Sequence, residues 1–195
     1  EYQNLNNVGK DYGYTISKKI DYKNPVYNQQ TRQFYGYEHV IEYEHNRNLF
    51  VDNRYYVNFP LVGNLRSKTT GHIDTGDSIK TRTNELTSLP VYVNAKPVVY
   101  SVRKISTTNT VFRNDKSKKI AWQKQTDYHY DDISTINGLY ANLSWSKYSV
   151  TGSQKNLYRC YTYHNDVTDN DIWLIGLKTG VLNTSDVNNC LSFKE

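Results

Sequence analysis

The chain has no methionine, only two cysteines and four prolines, and five phenylalanines against nineteen tyrosines. It also has no long apolar run. The longest apolar patches, such as "IWLIGL", are strand-sized, far short of the roughly 20 residues a membrane-spanning helix needs, so such a helix is excluded. Helical periodicity is missing as well. The nucleophile elbow Gly-x-Ser-x-Gly is absent ("GDSIK" lacks its frame), no EF-hand loop is present because "DVTDND" has neither the glycine nor the distal glutamate, and two cysteines thirty residues apart do not make a zinc site. No charged and apolar leader precedes Glu1, which fits a cytosolic protein, a processed secreted one or an excised portion.

What the chain does have is short alternating or apolar runs: "YGYTI", "HVIEYEH", "RYYVNF", "PVYVN", "PVVYSV", "ISTINGLYANLSW", "LYRCYTYH" and "DIWLIGL". Asn, Asp, Gly and Ser separate them. This pattern predicts an all-β, antiparallel protein with many strands. The tyrosines suit it, because a ring can pack on a pleated surface while its hydroxyl stays in water. "LNTSDVNNCLSF" is the one stretch in which a helical turn is expected.

The chain also repeats itself. At a constant offset of 85 residues Lys19 falls on Lys104, Ile20 on Ile105, Asn24 on Asn109, Val26 on Val111, Tyr27 on Phe112 and Tyr55 on Tyr140. Repeat cores at 19–59 and 104–145 divide the chain into a first unit at 1–95 and a second, cysteine-bearing unit at 96–195. Pro97 in "VNAKPVV" marks the join. Cys160 and Cys190 either close a disulfide, in an oxidising compartment, or stay as two buried thiols.

Net charge is +5 and unevenly spread: 0 over 1–60, +6 over 61–150 and −1 over 151–195. Between Lys96 and Lys124 eight basic residues face Asp115 alone. An anionic polymer would bind there if anywhere, the plain alternative being a solvated lysine face.

The opening "KKIDYKNPVYNQQTRQ" and its later counterpart resemble the surface-layer-protein attachment domain of lactobacilli, related in style to bacterial SH3-like cell-wall-binding domains. Lys18, Lys19, Ile20, Asn24, Val26 and Tyr27 carry the likeness in the first copy. Arg103, Lys104, Ile105, Asn109, Val111, Phe112, Ile136, Asn137, Gly138 and Tyr140 carry it in the second. The resemblance implies two small SH3-like or β-barrel-like units in tandem, on a secreted, non-enzymatic protein of the cell surface or cell wall that holds an anionic or glycan polymer such as teichoic acid.

The expected ligand-binding residues are therefore Lys18, Lys19 and Lys23 in the first copy and Arg103, Lys104, Arg113, Lys116, Lys118 and Lys119 in the second. Tyr55, Tyr140 and Trp145 are added as sugar-stacking rings, with Tyr56 and Trp173 as further candidates. No cofactor, metal or catalytic residue is expected. Nucleic acid is not the expected partner, for no recognition motif accompanies Tyr100, Phe112 and Trp122 in the basic stretch. The competing classes are an adhesin recognising a host protein, an S-layer-type lattice subunit, and a hydrolase built on Cys160 with His164 or on His129 with Asp131 and Asp132.

Overall fold

The computed structural model describes residues 18–30, 32–93, 96–113, 117, 119–131, 142–166 and 174–193, with backbone alone at 91–93, 96–99, 165–166 and 174–175. The all-β reading holds. Ten strands follow one another: β1 (Lys18–Asn28), β2 (Gln33–Glu44), β3 (Leu49–Tyr55), β4 (Leu65–His72), β5 (Ser78–Val93), β6 (Lys96–Phe112), β7 (Ile120–Tyr130), β8 (Leu143–Val150), β9 (Leu157–Asp166) and β10 (Leu174–Thr184). A 3-10 turn at His45–Arg47 and a five-residue helix, α1 (Asn188–Ser192), complete the elements. α1 lies in the stretch where a helical turn was expected.

The strands lie in one open antiparallel sheet in strict sequence order, β1 to β10. A barrel requires a first strand to return to a last one, and the strand order shows no such pairing among the described residues. The expected tandem of two barrel-like units is not confirmed. β5 and β6 run 16 and 17 residues. Pro97 is the second residue of β6, where a missing N–H at a strand start is tolerated.

Two compact units nevertheless form, cut differently from 95/96: residues 1–83 with 110–121, and residues 84–109 with 122–195. In the first, β1 to β4 and the start of β5 are joined by turns whose residues explain them. Asn28 Oδ1 accepts the Gln30 N–H at 2.9 Å, Asn48 adopts φ 53° to end the 3-10 turn, and the Asp74 carboxylate accepts the Thr75 N–H at 2.8 Å. All three are the short polar side chains that stand in for backbone in turns. Gly71 on β4 lies opposite Phe50. A Cβ there would sit 2.4 Å from the Asp77 carbonyl oxygen and 2.6 Å from the Phe50 ring, so the close approach requires glycine.

In the second unit β7, β8 and β9 pair in register (Tyr128 with Ser146, Trp145 with Cys160). Cys160 on β9 is bonded to Cys190 on α1 across 30 residues of sequence, with both cysteines about 1% exposed. The bond ties a helix too short to persist alone to the sheet.

The apolar interior is small. Among the described residues Ile41, Cys160 and Cys190 are the buried hydrophobic ones, while Ile20, Tyr22, Phe34, Tyr100, Trp122 and Leu177 are each more than 40% exposed. No helix among the described residues is long and apolar enough to cross a membrane.

Candidate binding surfaces

The repeat has a physical counterpart in the sheet. Lys19 Nζ lies 5.6 Å from the centre of the Tyr43 ring, and Lys104 Nζ lies 5.9 Å from that of Tyr128. Both members of the second pair stand 85 positions after those of the first. The same cross-strand cation–ring contact, worth about 0.5–1 kcal/mol at an exposed site, is therefore built twice, once between β1 and β2 and once between β6 and β7.

That contact also changes what the expected cations do. Lys18 is 3.1 Å from Glu44 and Lys19 is 3.3 Å from Asp21, so each already has a carboxylate. Arg103 is buried at 6% exposure with its guanidinium 5.2 Å from the Tyr130 ring. Lys23, Arg113 and Lys119 are exposed. Lys116, Lys118 and Tyr140 lie outside the described residues, as do Trp173, Asp132 and the "INGLY" turn. Tyr55 and Tyr56 are half-buried. Trp145 stacks on His129 at 3.5 Å between ring centres and meets Tyr158 edge-on at 5.7 Å, so its faces are shared with protein rings. The exposed rings stand elsewhere. Tyr22, Tyr37 and Phe34 form a cluster with centres 4.9 and 5.3 Å apart on the β1–β2 hairpin.

The catalytic candidates are differently placed. The Cys160 sulfur is in the disulfide, which leaves no thiol beside His164. His129 titrates below its usual range because desolvation disfavours its charged form, Asp127 opposing and Lys147 reinforcing the shift. Burial likewise raises the phenols of Tyr130, Tyr161 and Tyr163, so these rings stay neutral at physiological pH. No group of three metal-ligating side chains occurs among the described residues.

Among the described residues each unit carries a groove. The groove of the first unit, about 510 Å³, is lined by Glu38, Asp52, Arg54, Arg66 and the hydroxyls of Thr69 and Thr81, among others. Its charges balance, the carboxylates of Glu38 and Asp52 standing with the guanidinium groups of Arg54 and Arg66, and Asp52 lies 3.5 Å from Arg54 Nε.

The groove of the second unit is different in kind. About 670 Å³ is enclosed by Lys124 of β7, Tyr148 and Val150 of β8, Lys155 and Asn156 of the β8–β9 turn, Leu157 and Arg159 of β9, and Ser185. Three cations and no carboxylate line it. Tyr148 organises two of them, with Lys124 Nζ 4.9 Å and Arg159 Cζ 5.9 Å from its ring centre. Arg159 is further oriented by donating from Nε to Asn183 Oδ1 at 2.9 Å. Ser153 Oγ accepts the Lys155 N–H and donates to the Lys155 carbonyl, both at 3.2 Å, which shapes the turn that presents the third. Asp186 follows Ser185 in sequence but is not among the lining residues, and its carboxylate accepts the Asn188 N–H at 2.9 Å. Lys124 closes the basic stretch visible in the sequence. Lys155 and Arg159 lie in a segment of net negative charge, and only the β7–β8–β9 pairing gathers the three.

Comparison with known proteins bears on the fold. No family model and no curated protein matches the chain. Solved structures do: the TcdB2-TccC3 chain without its hypervariable C-terminal region, at 9% identity and a TM-score of 0.53 over 86% of this chain, and the Photorhabdus luminescens Tc holotoxin pore carrying TccC3-D651A, at 12% identity and 0.53 over 86%. The TcdB2-TccC3-Cdc42 structure is similar at 11% identity and 0.52 over 85%. This chain spans about 12% of the length of each of these chains. At such identities the likeness is one of fold.

Proposed function

We propose that this chain is a non-enzymatic wall segment of a larger β-sheet assembly, belonging to a secreted or surface protein. The observation that carries the reading is a sheet of ten sequence-ordered strands with large apolar side chains exposed and very few buried. Large apolar side chains left exposed on a sheet call for a covering surface. Covering the exposed half of an Ile, Phe or Leu side chain contributes roughly 1 kcal/mol each, so a neighbouring surface would stabilise it. The disulfide supports an oxidising compartment. A lattice subunit of the S-layer type is one form such a wall takes.

The isolated chain is expected to self-associate. Sedimentation velocity from about 1 to 100 μM, a span in which micromolar contacts form, should show a rising mean mass, and Ile20→Lys with Tyr22→Lys should lower it. A monomer at every concentration that binds no hydrophobic dye would refute the wall reading.

A second reading, a module for an anionic or glycan cell-wall polymer, is favoured by the carboxylate-free basic groove. Isolated Gram-positive cell walls should then retain the protein at low salt and release it at high salt or after teichoic acid is stripped. Absence of retention in all conditions would remove this reading.

A further inference from the structure

From the groove of the second unit we infer a binding site for an anionic saccharide, a sugar unit bearing a carboxylate, sulfate or phosphate group. Charge is the first element. Lys124, Lys155 and Arg159 come from β7, the β8–β9 turn and β9 and converge on one space without a carboxylate in its lining. Like charges held together repel, and nothing in the lining offsets them, so an anion entering the groove relieves that repulsion as well as pairing with each cation.

Shape and polarity are the second element. Beside the cations stand Val150 and Leu157, 43% and 47% exposed. An inorganic ion gains nothing from such a shelf, whereas the C–H face of a sugar ring does. Asn156 and Ser185 supply the neutral hydrogen-bonding groups that ring hydroxyls require. Tyr148 acts as a positioning residue, its ring in contact with both Lys124 and Arg159. Arg159 keeps its terminal N–H groups for a ligand, since Nε is the donor used toward Asn183, and a guanidinium presents a planar fork to an oxyanion.

The inference takes its ligand class from the polymer-binding reading, yet the two fail separately. The probes are heparin, a sulfated saccharide, and linear polyphosphate of matched charge, titrated calorimetrically against the full chain over a salt series. The triple variant Lys124→Gln, Lys155→Gln, Arg159→Gln is expected to weaken heparin binding at least tenfold. It should also flatten the log–log salt dependence by about two to three, the slope contributed by three cations at roughly 0.7–0.9 each. Lys80→Gln, Arg82→Gln, Lys68→Gln removes the same charge from exposed positions of the first unit and should change binding less than twofold. If both triples behave alike, the site is overturned. Val150→Ser with Leu157→Ser should weaken heparin several-fold and leave polyphosphate unchanged. Equal effects on the two probes would overturn the saccharide assignment. Wall retention that survives the groove triple sinks this site and spares the polymer reading. Groove-dependent heparin binding without wall retention does the reverse.

Discussion

Reduction of Cys160–Cys190 is expected to cost about 3–4 kcal/mol of stability, the chain-entropy value for a loop of 30 residues. In this fold the loss has a definite location. α1 is five residues long, and an isolated helix of that length does not persist in water. Once the bond opens, the segment after Thr184 is held to the sheet by side-chain packing and by the hydrogen bonds that the Asp186 N–H and Asn189 Nδ2 donate to Thr184 Oγ1 at 3.1 and 2.9 Å. The pair is buried, so Cys160→Ala with Cys190→Ala is the cleaner substitution, serine adding buried hydroxyls without partners. Thermal unfolding with and without reductant should show a midpoint lowered by about 10 °C, at roughly 2–4 °C per kcal/mol for a chain of this size. An unchanged midpoint would mean that the bond constrains nothing. Binding by Lys124 and Lys155 should outlast reduction, because β7 and the β8–β9 turn are not in the closed loop.

Gly71→Ala is expected to destabilise the first unit by about 2–3 kcal/mol, the upper part of the range for forcing atoms into a packed site. Two neighbours oppose the added methyl. The Phe50 ring edge could swing away, but the Asp77 oxygen is backbone and accepts the His72 N–H at 2.9 Å, so relieving a 2.4 Å contact means opening the β4–β5 turn. Adding Phe50→Leu should recover part of the loss and leave the turn's share. Gly76→Ala in the same turn meets no atom within 4 Å but sits at φ +69°, and should cost about 1–2 kcal/mol through backbone strain alone. Denaturant midpoints for the four proteins check this. A Gly71→Ala protein as stable as the parent would show that the turn is loose.

Strands were legible in the sequence wherever alternation was local. All of "HVIEYEH" but its last residue lies in β2 and "LYRCYTYH" is most of β9, because side chains of period two reveal a half-buried strand without knowledge of its partner. Partnership was not legible. Lys18 and Lys19 read as free cations until pairing brought Glu44 opposite Lys18. Arg103 read as surface until its strand became an interior one. Closure was invisible for the same reason: alternation states which residues share a face and is silent on whether the last strand meets the first. The offset of 85 did carry physical content, the twice-built lysine–tyrosine contact. Lys124 and Arg159 are separated by an entire strand, so no local motif could announce their groove.

Strict neighbour-to-neighbour pairing bears on how such a chain is made and moved. Contacts between sequence neighbours close short loops, which is the inexpensive kind of ordering for a polymer. Each hairpin can form as soon as its second strand is available, without waiting for a distant segment. Ordering can therefore spread hairpin by hairpin, and the disulfide adds one covalent closure to it, between β9 and α1.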